Sequence, residues 1–218
     1  MNTPTNAWLT AATPCAVRIV GVVIISCAII GCTQRAFKTD RPGIEIVVSE
    51  PDRIRFSGKG AGAGMMMAGT MGPMGIAIGV AIDEGIGKDI DRTARQGNVD
   101  IQTLLFKAVD ATLDKPGNPL ARYDADTIEI VVERYGFVTT PGEGDPVQPQ
   151  LHLSFLFDAN KRQTLRIPED FKGSTEFVFD TYPLDEIKAS AETIQRAFEE
   201  IAEFAINHGL TPAQVTRR

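Results

Sequence analysis

The side chains that could carry chemistry are few and lie far apart in the sequence. The chain has two histidines: His152 lies among alternating apolar residues, and His208 ends a predicted helix. Zinc sites use three or four closely spaced nitrogen or sulfur ligands, which two isolated histidines do not supply. We therefore predict that the protein holds no metal and uses no cofactor.

The acidic residues and serines also lack the spacing of a catalytic site. Asp83 and Glu84 are adjacent but show no EF-hand spacing, so they fit a solvated helix end. Glu129 and Glu133 lie about 13 Å apart along a predicted strand, too far for a paired acid and base. Ser154 stands outside any Gly-x-Ser-x-Gly sequence. We predict no catalytic residues and no enzymatic activity.

One cysteine follows a stretch with the features of a targeting signal. Residues 19–31 form an uncharged, mostly apolar run, Arg18 precedes this run, and Cys32 follows it. A positive charge, an apolar run of this length and a small residue at its end are typical of a signal peptide. A membrane-spanning helix needs about 20 apolar residues, so this run is short for a span. We predict that Met1–Gly31 is a signal peptide.

The four residues Ile29-Ile30-Gly31-Cys32 resemble the lipobox of bacterial lipoproteins, and the resemblance extends back to residue 18. It implies cleavage before Cys32, which then carries a diacylglyceryl thioether and an amide-linked fatty acyl chain such as palmitate. Several acyl chains on one residue make a stable membrane anchor. The alternative is an uncleaved signal anchor in which Cys32 is an ordinary thiol.

The residue after the lipobox indicates the compartment, and the charge balance of the chain argues against one class of partner. Thr33 stands where many inner-membrane lipoproteins have Asp, so the resemblance implies the periplasmic side of the outer membrane. Acidic residues outnumber basic ones, and the net charge is −6. This balance argues against a nucleic-acid partner, which needs a basic surface. Cys15 and Cys27 fall within the predicted signal peptide, so we expect no disulfide in the mature chain.

The segment 58–92 differs in composition from the rest of the chain. Residues 60–82 include no charged side chain, and 58–88 holds ten of the 20 glycines and five of the six methionines. Small residues recur mostly every fourth position and resemble a glycine zipper: Gly60, Gly64, Ala68, Gly72, Gly75 and Gly79. On a helix they form a stripe that another backbone can approach closely. We predict that this stripe contacts a membrane or a partner, which includes a second copy of the chain.

Three structures fit this segment. The first is one kinked helix of about 23 residues, long enough to span a bilayer. The second is a helical hairpin that turns at Gly72-Pro73, with arms too short to span. The third is a glycine-rich element buried in a soluble fold, and the alternation from Ile76 to Ile82 also permits a strand. We favour a membrane-associated or partner-associated helical hairpin.

Periodicity predicts an α+β fold for the rest of the chain, with an antiparallel sheet packed by two amphipathic helices. The predicted order is a signal peptide (1–31), a lipidated tether (32–42), a β-hairpin (43–57), the glycine-rich segment (58–92) and an α+β domain (98–212). Within that domain we predict helices at 100–113 and 184–208 and strands at 126–139, 151–157, 162–167 and 176–180.

These features favour a lipid-anchored envelope protein with a structural, assembly or protein-interaction role and no catalysis. Its membrane contact would be the lipid on Cys32, and its protein partner would be a second copy or another envelope protein. One alternative is a membrane-perturbing or oligomeric pore component that assembles through the glycine-rich segment. The other is a periplasmic carrier of an apolar ligand, or an enzyme.

Intact mass spectrometry of the membrane-extracted protein tests the lipobox prediction. We expect a mass that lacks Met1–Gly31 and includes a diacylglyceryl group and a third acyl chain on Cys32. The Cys32→Ser variant should keep its leader and carry no lipid. Recovery of the full-length, unmodified wild-type chain would contradict the prediction.

Overall fold

The computed structural model describes residues 35–38, 43–49, 52–114, 127–141, 145–158, 161–174 and 177–210. All of them belong to the unit Cys32–Arg218. The predicted signal peptide and the lipobox with Cys32 lie outside the described residues, so their assignment stays a prediction. Within the segment predicted as a tether, 35–38 form a strand.

The described chain contains seven strands and five α-helices. In chain order they are β1 (Arg35–Lys38), β2 (Ile44–Val48), β3 (Arg55–Ser57), α1 (Lys59–Met71), α2 (Pro73–Gln96), α3 (Ile101–Leu113), β4 (Ile128–Thr139), β5 (Pro146–Asp158), β6 (Lys161–Ile167), β7 (Tyr182–Pro183), α4 (Leu184–Ala189) and α5 (Ala191–Gly209).

All seven strands belong to one sheet, in the order β1-β2-β4-β5-β6, with β3 also beside β4 and β7 beside β5. Strands β4, β5 and β6 are antiparallel neighbours, as predicted. Strands β2 and β3 instead run parallel to β4, so the sheet is mixed. The α+β class is confirmed, and the purely antiparallel sheet is corrected to a mixed one.

The predicted β-hairpin at 43–57 is wrong. Strand β2 pairs with the first half of β4, from Ile44 opposite Ile128 to Val48 opposite Val132. Strand β3 pairs with the second half of the same strand, with Phe56 opposite Phe137. The two segments thus follow one another along β4. Alternating side chains show which face of a strand is buried, but they do not specify its neighbour.

The helices match the apolar periodicity, with one interruption. Helix α3 begins after Asp100, whose carboxylate accepts a hydrogen bond from the Thr103 N–H at 3.1 Å. The helix predicted at 184–208 is divided at Ser190, which is extended and whose hydroxyl caps α5 through the Thr193 N–H at 3.1 Å. The apolar period continues across this break, so periodicity alone predicts one helix.

The hydrophobic core lies between the sheet and the long helices α3 and α5. Phe137 of β4 and Phe198 of α5 are fully buried, and their ring centroids are 5.1 Å apart. Tyr135 meets the same Phe198 ring edge-on at 5.8 Å. Aromatic side chains that interlock in this way bury large apolar areas and fix the position of α5 on β4.

The predicted strand at 176–180 is also corrected. Residues 177–180 are not in a strand, and the short strand β7 follows them. Phe177 and Phe179 join an aromatic cluster with Phe171 and Phe204, with centroid separations of about 5 Å. Their alternation therefore reflects packing on α5, not pairing in the sheet.

The substitution Phe198→Ala tests this core. Because the Phe198 ring is buried where α5 packs on β4, its removal should lower the free energy of unfolding by about 3–5 kcal/mol. Val178→Ala is the matched control, since Val178 is 84% exposed and should change stability by less than about 0.5 kcal/mol. Denaturant unfolding measures the free energy of unfolding of both variants. Equal changes in the two would contradict the packing of Phe198 described above.

Candidate functional site

Residues 59–96 form a helical hairpin, the second of the three structures considered for this segment. Helix α1 ends at Met71, Gly72 adopts a positive φ of 59°, and Pro73 begins α2. The Gly72 N–H donates to the Ala68 carbonyl at 3.0 Å. Proline suits the first helical position because its missing N–H would have no partner within the helix. The hairpin replaces both the single kinked helix and the strand over residues 76–82.

The glycine stripe lies between the two arms of the hairpin. Gly60, Gly64, Gly75 and Gly79 are buried. A Cβ would overlap the other arm at Gly60, Gly75 and Gly79, and it would be tightly packed at Gly64. A Cβ on Gly64 would lie 3.3 Å from the Gly75 carbonyl oxygen and from the Gly79 Cα. A Cβ on Gly79 would lie 2.9 Å from the Gly64 Cα and overlap the Gly60 carbonyl oxygen.

This contact corrects the prediction that the whole stripe meets a membrane or a partner. The small faces of α1 and α2 are used against each other inside the chain. Ala68 belongs to the same contact, because a Cβ on Gly75 would overlap its backbone nitrogen. Gly72 forms the turn, and a Cβ added there would meet no neighbour within 4 Å. The stripe therefore pairs two arms and turns the larger side chains outward.

The outer surface of the hairpin is strongly apolar. Of the nine large hydrophobic side chains exposed in the described chain, eight lie on the hairpin: Met65, Met66, Met67, Met71, Met74, Ile76, Val80 and Ile82. The ninth is Val178. An exposed apolar patch of this kind marks a surface that contacts a membrane, a ligand or another protein.

The apolar side chains surround the end of the hairpin instead of lining one side. Met65, Met66 and Met67 are consecutive and all exposed, with Met66 at 83%. Successive residues on a helix point about 100° apart, so these three cover about 200° of the circumference of α1. Among the described residues, no helix combines the length and the apolar composition required to cross a bilayer.

The base of the hairpin is fixed by an acidic side chain from the opposite arm. The Asp83 carboxylate of α2 accepts hydrogen bonds from the Gly58 N–H at 3.0 Å and the Gly60 N–H at 2.6 Å. These amides lie at the start of α1, whose own N-cap residue supplies no side-chain acceptor. A carboxylate at a helix N-terminus satisfies free amides and complements the helix dipole.

The second half of α2 attaches the hairpin to the sheet. Gly87 packs against the edge of β3, where a Cβ would lie 3.3 Å from both the Ile54 carbonyl oxygen and the Phe56 nitrogen. The Asp91 carboxylate accepts the Ile54 N–H at 3.1 Å, and Ile90 is fully buried. Helix α2 therefore covers an edge strand whose amides would otherwise be open to pairing.

A buried hydroxyl strengthens this attachment. The Tyr135 hydroxyl donates to the Asp52 carboxylate at 2.6 Å, and Arg95 donates to both the Asp52 carbonyl at 2.9 Å and the Asp91 carboxylate at 2.7 Å. Burial, reinforced by the bond to Asp52, raises the pKa of Tyr135 well above its ordinary range. The phenol therefore stays protonated, and remains a hydrogen-bond donor, well above neutral pH.

A cleft of about 320 Å³ opens between α2 and the strands β3 and β4. Its charged lining residues are Arg53, Arg55, Asp83, Glu84, Lys88, Asp91 and Arg134. The Arg53 guanidinium pairs with Glu84 at 3.0 Å across the mouth of the cleft. Asp83 and Glu84 thus have partners at the start of α1 and in the segment before β3, although the sequence indicated only a solvated helix end.

A bulge in β4 brings Arg134 to this cleft. The register with β5 shifts between Val132 and Arg134, so core-facing positions change from Val132 to Tyr135 and two successive residues point outward. Gly136, two residues further along β4, has a different role. It has a φ of 155°, and any Cβ there would overlap the backbone of Arg55, so it permits the close approach of β3.

The residues considered for catalysis take part in structural contacts. Ser154 is fully buried, and its hydroxyl donates to Glu133 at 2.7 Å and accepts from the Arg162 Nε at 3.1 Å. The bond from Ser154 lowers the pKa of Glu133, and Arg162 adds to the effect. His152 lies 3.2 Å from the Glu169 carboxylate on the same outer face of the sheet.

His208 completes the aromatic cluster and lies in the last turn of α5. Its ring stacks on Phe204 with centroids 3.8 Å apart, and its Nδ1 donates to the Phe204 carbonyl at 2.8 Å. Both histidines are therefore held by neighbouring protein groups. Among the described residues, no three His, Cys, Asp or Glu side chains come together as a metal site.

Comparison with known proteins adds no relative: no family model matches the chain, and neither a curated protein nor a solved structure does. The hairpin and the residues around it are therefore the features that indicate function. The sequence located the hairpin through its composition, but it did not indicate the cleft. The one pattern in the sequence that relates to the cleft is the alternation of Arg53 and Arg55 with Ile54 and Phe56, which are buried.

The pair Gly79→Ala and Gly85→Ala tests the contact between the arms. Both glycines lie in α2, but only Gly79 meets α1, since a Cβ on Gly85 has no neighbour within 4 Å. We expect Gly79→Ala to destabilise the pairing by about 1–3 kcal/mol through overpacking. Gly85→Ala should stabilise α2 by about 1 kcal/mol because alanine favours the helix. Hydrogen exchange of the α1 amides measures the first effect and that of the α2 amides the second. Unchanged α1 exchange in Gly79→Ala would contradict the contact.

Proposed function

We propose that the protein is a lipid-anchored protein of the bacterial envelope with a structural or assembly role, and that its helical hairpin inserts into one leaflet of a bilayer. The observation that carries the proposal is the concentration of exposed apolar side chains on residues 65–82, a stretch without a charged residue. The α+β domain would stay in water, where its charged surface is solvated.

The distribution of the apolar side chains favours lipid over a protein groove. A groove usually covers one face of a helix, whereas the exposed methionines of α1 point in directions that span about 200°. A fluid acyl-chain phase contacts every side of an inserted element. Methionine is also a flexible, polarisable side chain that adapts to irregular surroundings.

The backbone at the turn suits an apolar environment. The Gly72 N–H is bonded to Ala68 and the Gly72 carbonyl accepts from the Gly75 N–H at 3.0 Å, while Pro73 has no N–H. The Thr70 hydroxyl donates to the Met67 carbonyl at 3.2 Å. Unpaired amides and hydroxyls are costly in hydrocarbon, so these internal bonds lower the cost of insertion.

The length of the arms determines how deeply the hairpin can enter the bilayer. Helix α1 has 13 residues, which corresponds to about 20 Å, and the hydrocarbon core of a bilayer is about 30 Å thick. The exposed apolar part of that arm, Met65 to Met71, is about 10 Å long, so it fits within one leaflet of about 15 Å. A lipid on Cys32 would hold the chain at the surface and so increase the local concentration of the hairpin there.

The glycine stripe does not support the alternative of an oligomeric pore. Lateral assembly through that stripe requires Gly64 and Gly79 to face other chains, but they face each other. No contact of the described residues specifically favours a ligand carrier or an enzyme. We therefore retain the membrane-inserted hairpin as the proposed function.

A tryptophan probe in the membrane-extracted protein tests insertion. The sequence has one tryptophan, Trp8, which lies in the predicted signal peptide, so the parent protein prepared in the same way supplies the background. In vesicles with brominated acyl chains we expect the emission of Met66→Trp to shift to the blue and to be quenched by more than about half, because bromine quenches on contact within the hydrocarbon.

Val178→Trp is the matched control, because Val178 is equally exposed and apolar but lies outside the hairpin. Its emission should stay that of a water-exposed indole. This comparison holds even when a lipid anchor keeps every variant on the vesicle. Equal emission and equal quenching at the two positions would rule out insertion of the hairpin.

A further inference from the structure

Two arginines in the cleft at the base of the hairpin lack an anionic partner. Arg55 and Arg134 line the cleft, and neither forms an ion pair with a carboxylate among the described residues. The Nε of Arg134 is buried and has no hydrogen-bond acceptor in the described structure. A buried cationic donor without an acceptor is costly, which points to a group absent from the protein itself.

The sheet places these guanidiniums on one side. Arg53 and Arg55 alternate with Ile54 and Phe56, which are buried in the core, so both arginines point outward. Arg55 pairs with Gly136 in β4, and Arg134 lies two residues before that position on the same face. Arg55 and Arg134 therefore come from two adjacent strands, and Arg53 comes from the segment that leads into β3.

The carboxylates of the cleft are already engaged. Asp83 accepts the amides at the start of α1, and Asp91 accepts the Ile54 amide and pairs with Arg95. Glu84 pairs with Arg53 at 3.0 Å and lies 3.9 Å from the Lys88 ammonium. None of the three neutralises Arg55 or Arg134.

The pKa of Arg55 reflects the same imbalance. Burial lowers it from its ordinary value, and the like charges of Arg134 and Arg53 lower it further. An anion bound among the three groups would relieve this repulsion.

The cleft lies at the boundary between the apolar and charged parts of α2. Val80 lines one end of it and belongs to the uncharged stretch, whereas Glu84, Lys88 and Asp91 line the rest. If the hairpin is inserted as proposed above, this boundary lies at the level of the lipid headgroups. Long cationic side chains favour that position because their stems contact apolar groups and their charged ends meet phosphates.

We propose that Arg55 and Arg134 bind the phosphate of an anionic phospholipid headgroup, with Arg53 and Lys88 at the margin of the site. The planar guanidiniums donate parallel hydrogen bonds to phosphate oxygens, and a rotation of the Arg134 side chain on binding would bring its buried Nε to the acceptor it lacks. The site favours a headgroup without its own cation, because a choline or ethanolamine group would be repelled by the neighbouring arginines. This inference depends on the proposed insertion of the hairpin.

The test uses the full chain with Ile76→Trp, since Ile76 is 58% exposed and lies one helical turn before Val80. Vesicles contain phosphatidylglycerol and phosphatidylcholine, and bromine is placed on the acyl chains of one lipid or the other. The ratio of the two quenching efficiencies gives the relative association of the anionic lipid with the hairpin.

We expect the parent to favour the anionic lipid by about tenfold, which corresponds to one charge-assisted contact. Arg55→Gln with Arg134→Gln should reduce this preference to about one. The matched control combines Lys107→Gln with Arg196→Gln, which removes the same charge from α3 and α5 on the other side of the sheet and should keep the preference. Circular dichroism checks folding, and if the double variant is unfolded, Arg55→Gln alone should lower the preference several-fold.

The outcomes separate this inference from the proposed function. Strong quenching that is equal for the two lipids in the parent would overturn the headgroup site and leave insertion intact. Absence of quenching by either lipid would overturn insertion and the headgroup site with it. Inorganic phosphate added to the buffer distinguishes the source of the anion. If phosphate slows hydrogen exchange of the cleft amides while the parent shows no lipid preference, the ligand is free phosphate and the proposal is wrong.

Discussion

The backbone contact between α1 and α2 is the constraint on which the hairpin depends. Four glycines bring the two helices so close that a single methyl group on Gly60 or Gly79 would overlap a carbonyl oxygen of the other arm. Glycine is unfavourable in an isolated helix by about 1 kcal/mol against alanine, so the pairing must offset a cost at each position. Close helix contact does so through dispersion along the whole stripe.

Several features follow from that contact. Because the small residues face inward, the methionines and isoleucines of the hairpin point outward and create an apolar element attached to a charged α+β domain. Because the arms lie side by side, Asp83 of α2 reaches the first amides of α1 and closes the base. The next turns of α2 cover β3. The arginine cleft lies between them, at the boundary between the apolar and the charged parts of α2.

The sequence predicted what local patterns specify. Composition located the hairpin and its turn at Gly72-Pro73, and apolar periodicity located α3, β4 and α5. It failed where the answer depends on a distant partner: β2 and β3 alternate as hairpin strands do, yet both pair with β4. The spacing of the glycine stripe is likewise the same for an internal and an external contact. The cleft depends on the bulge in β4 and on the register between β3 and β4. Neither can be recognised from the sequence around Arg134.

Nuclear Overhauser effects in the full chain, reconstituted in lipid nanodiscs, report whether the arms pair through their glycines inside a bilayer. We expect cross-peaks between the Hα protons of Gly64 and Gly79, whose α-carbons are in close contact, and cross-peaks between the Met66 methyl group and lipid acyl chains. The opposite pattern would contradict this arrangement: glycine Hα protons in contact with acyl chains, no cross-peaks between the arms, and a Met66 methyl group in contact with water.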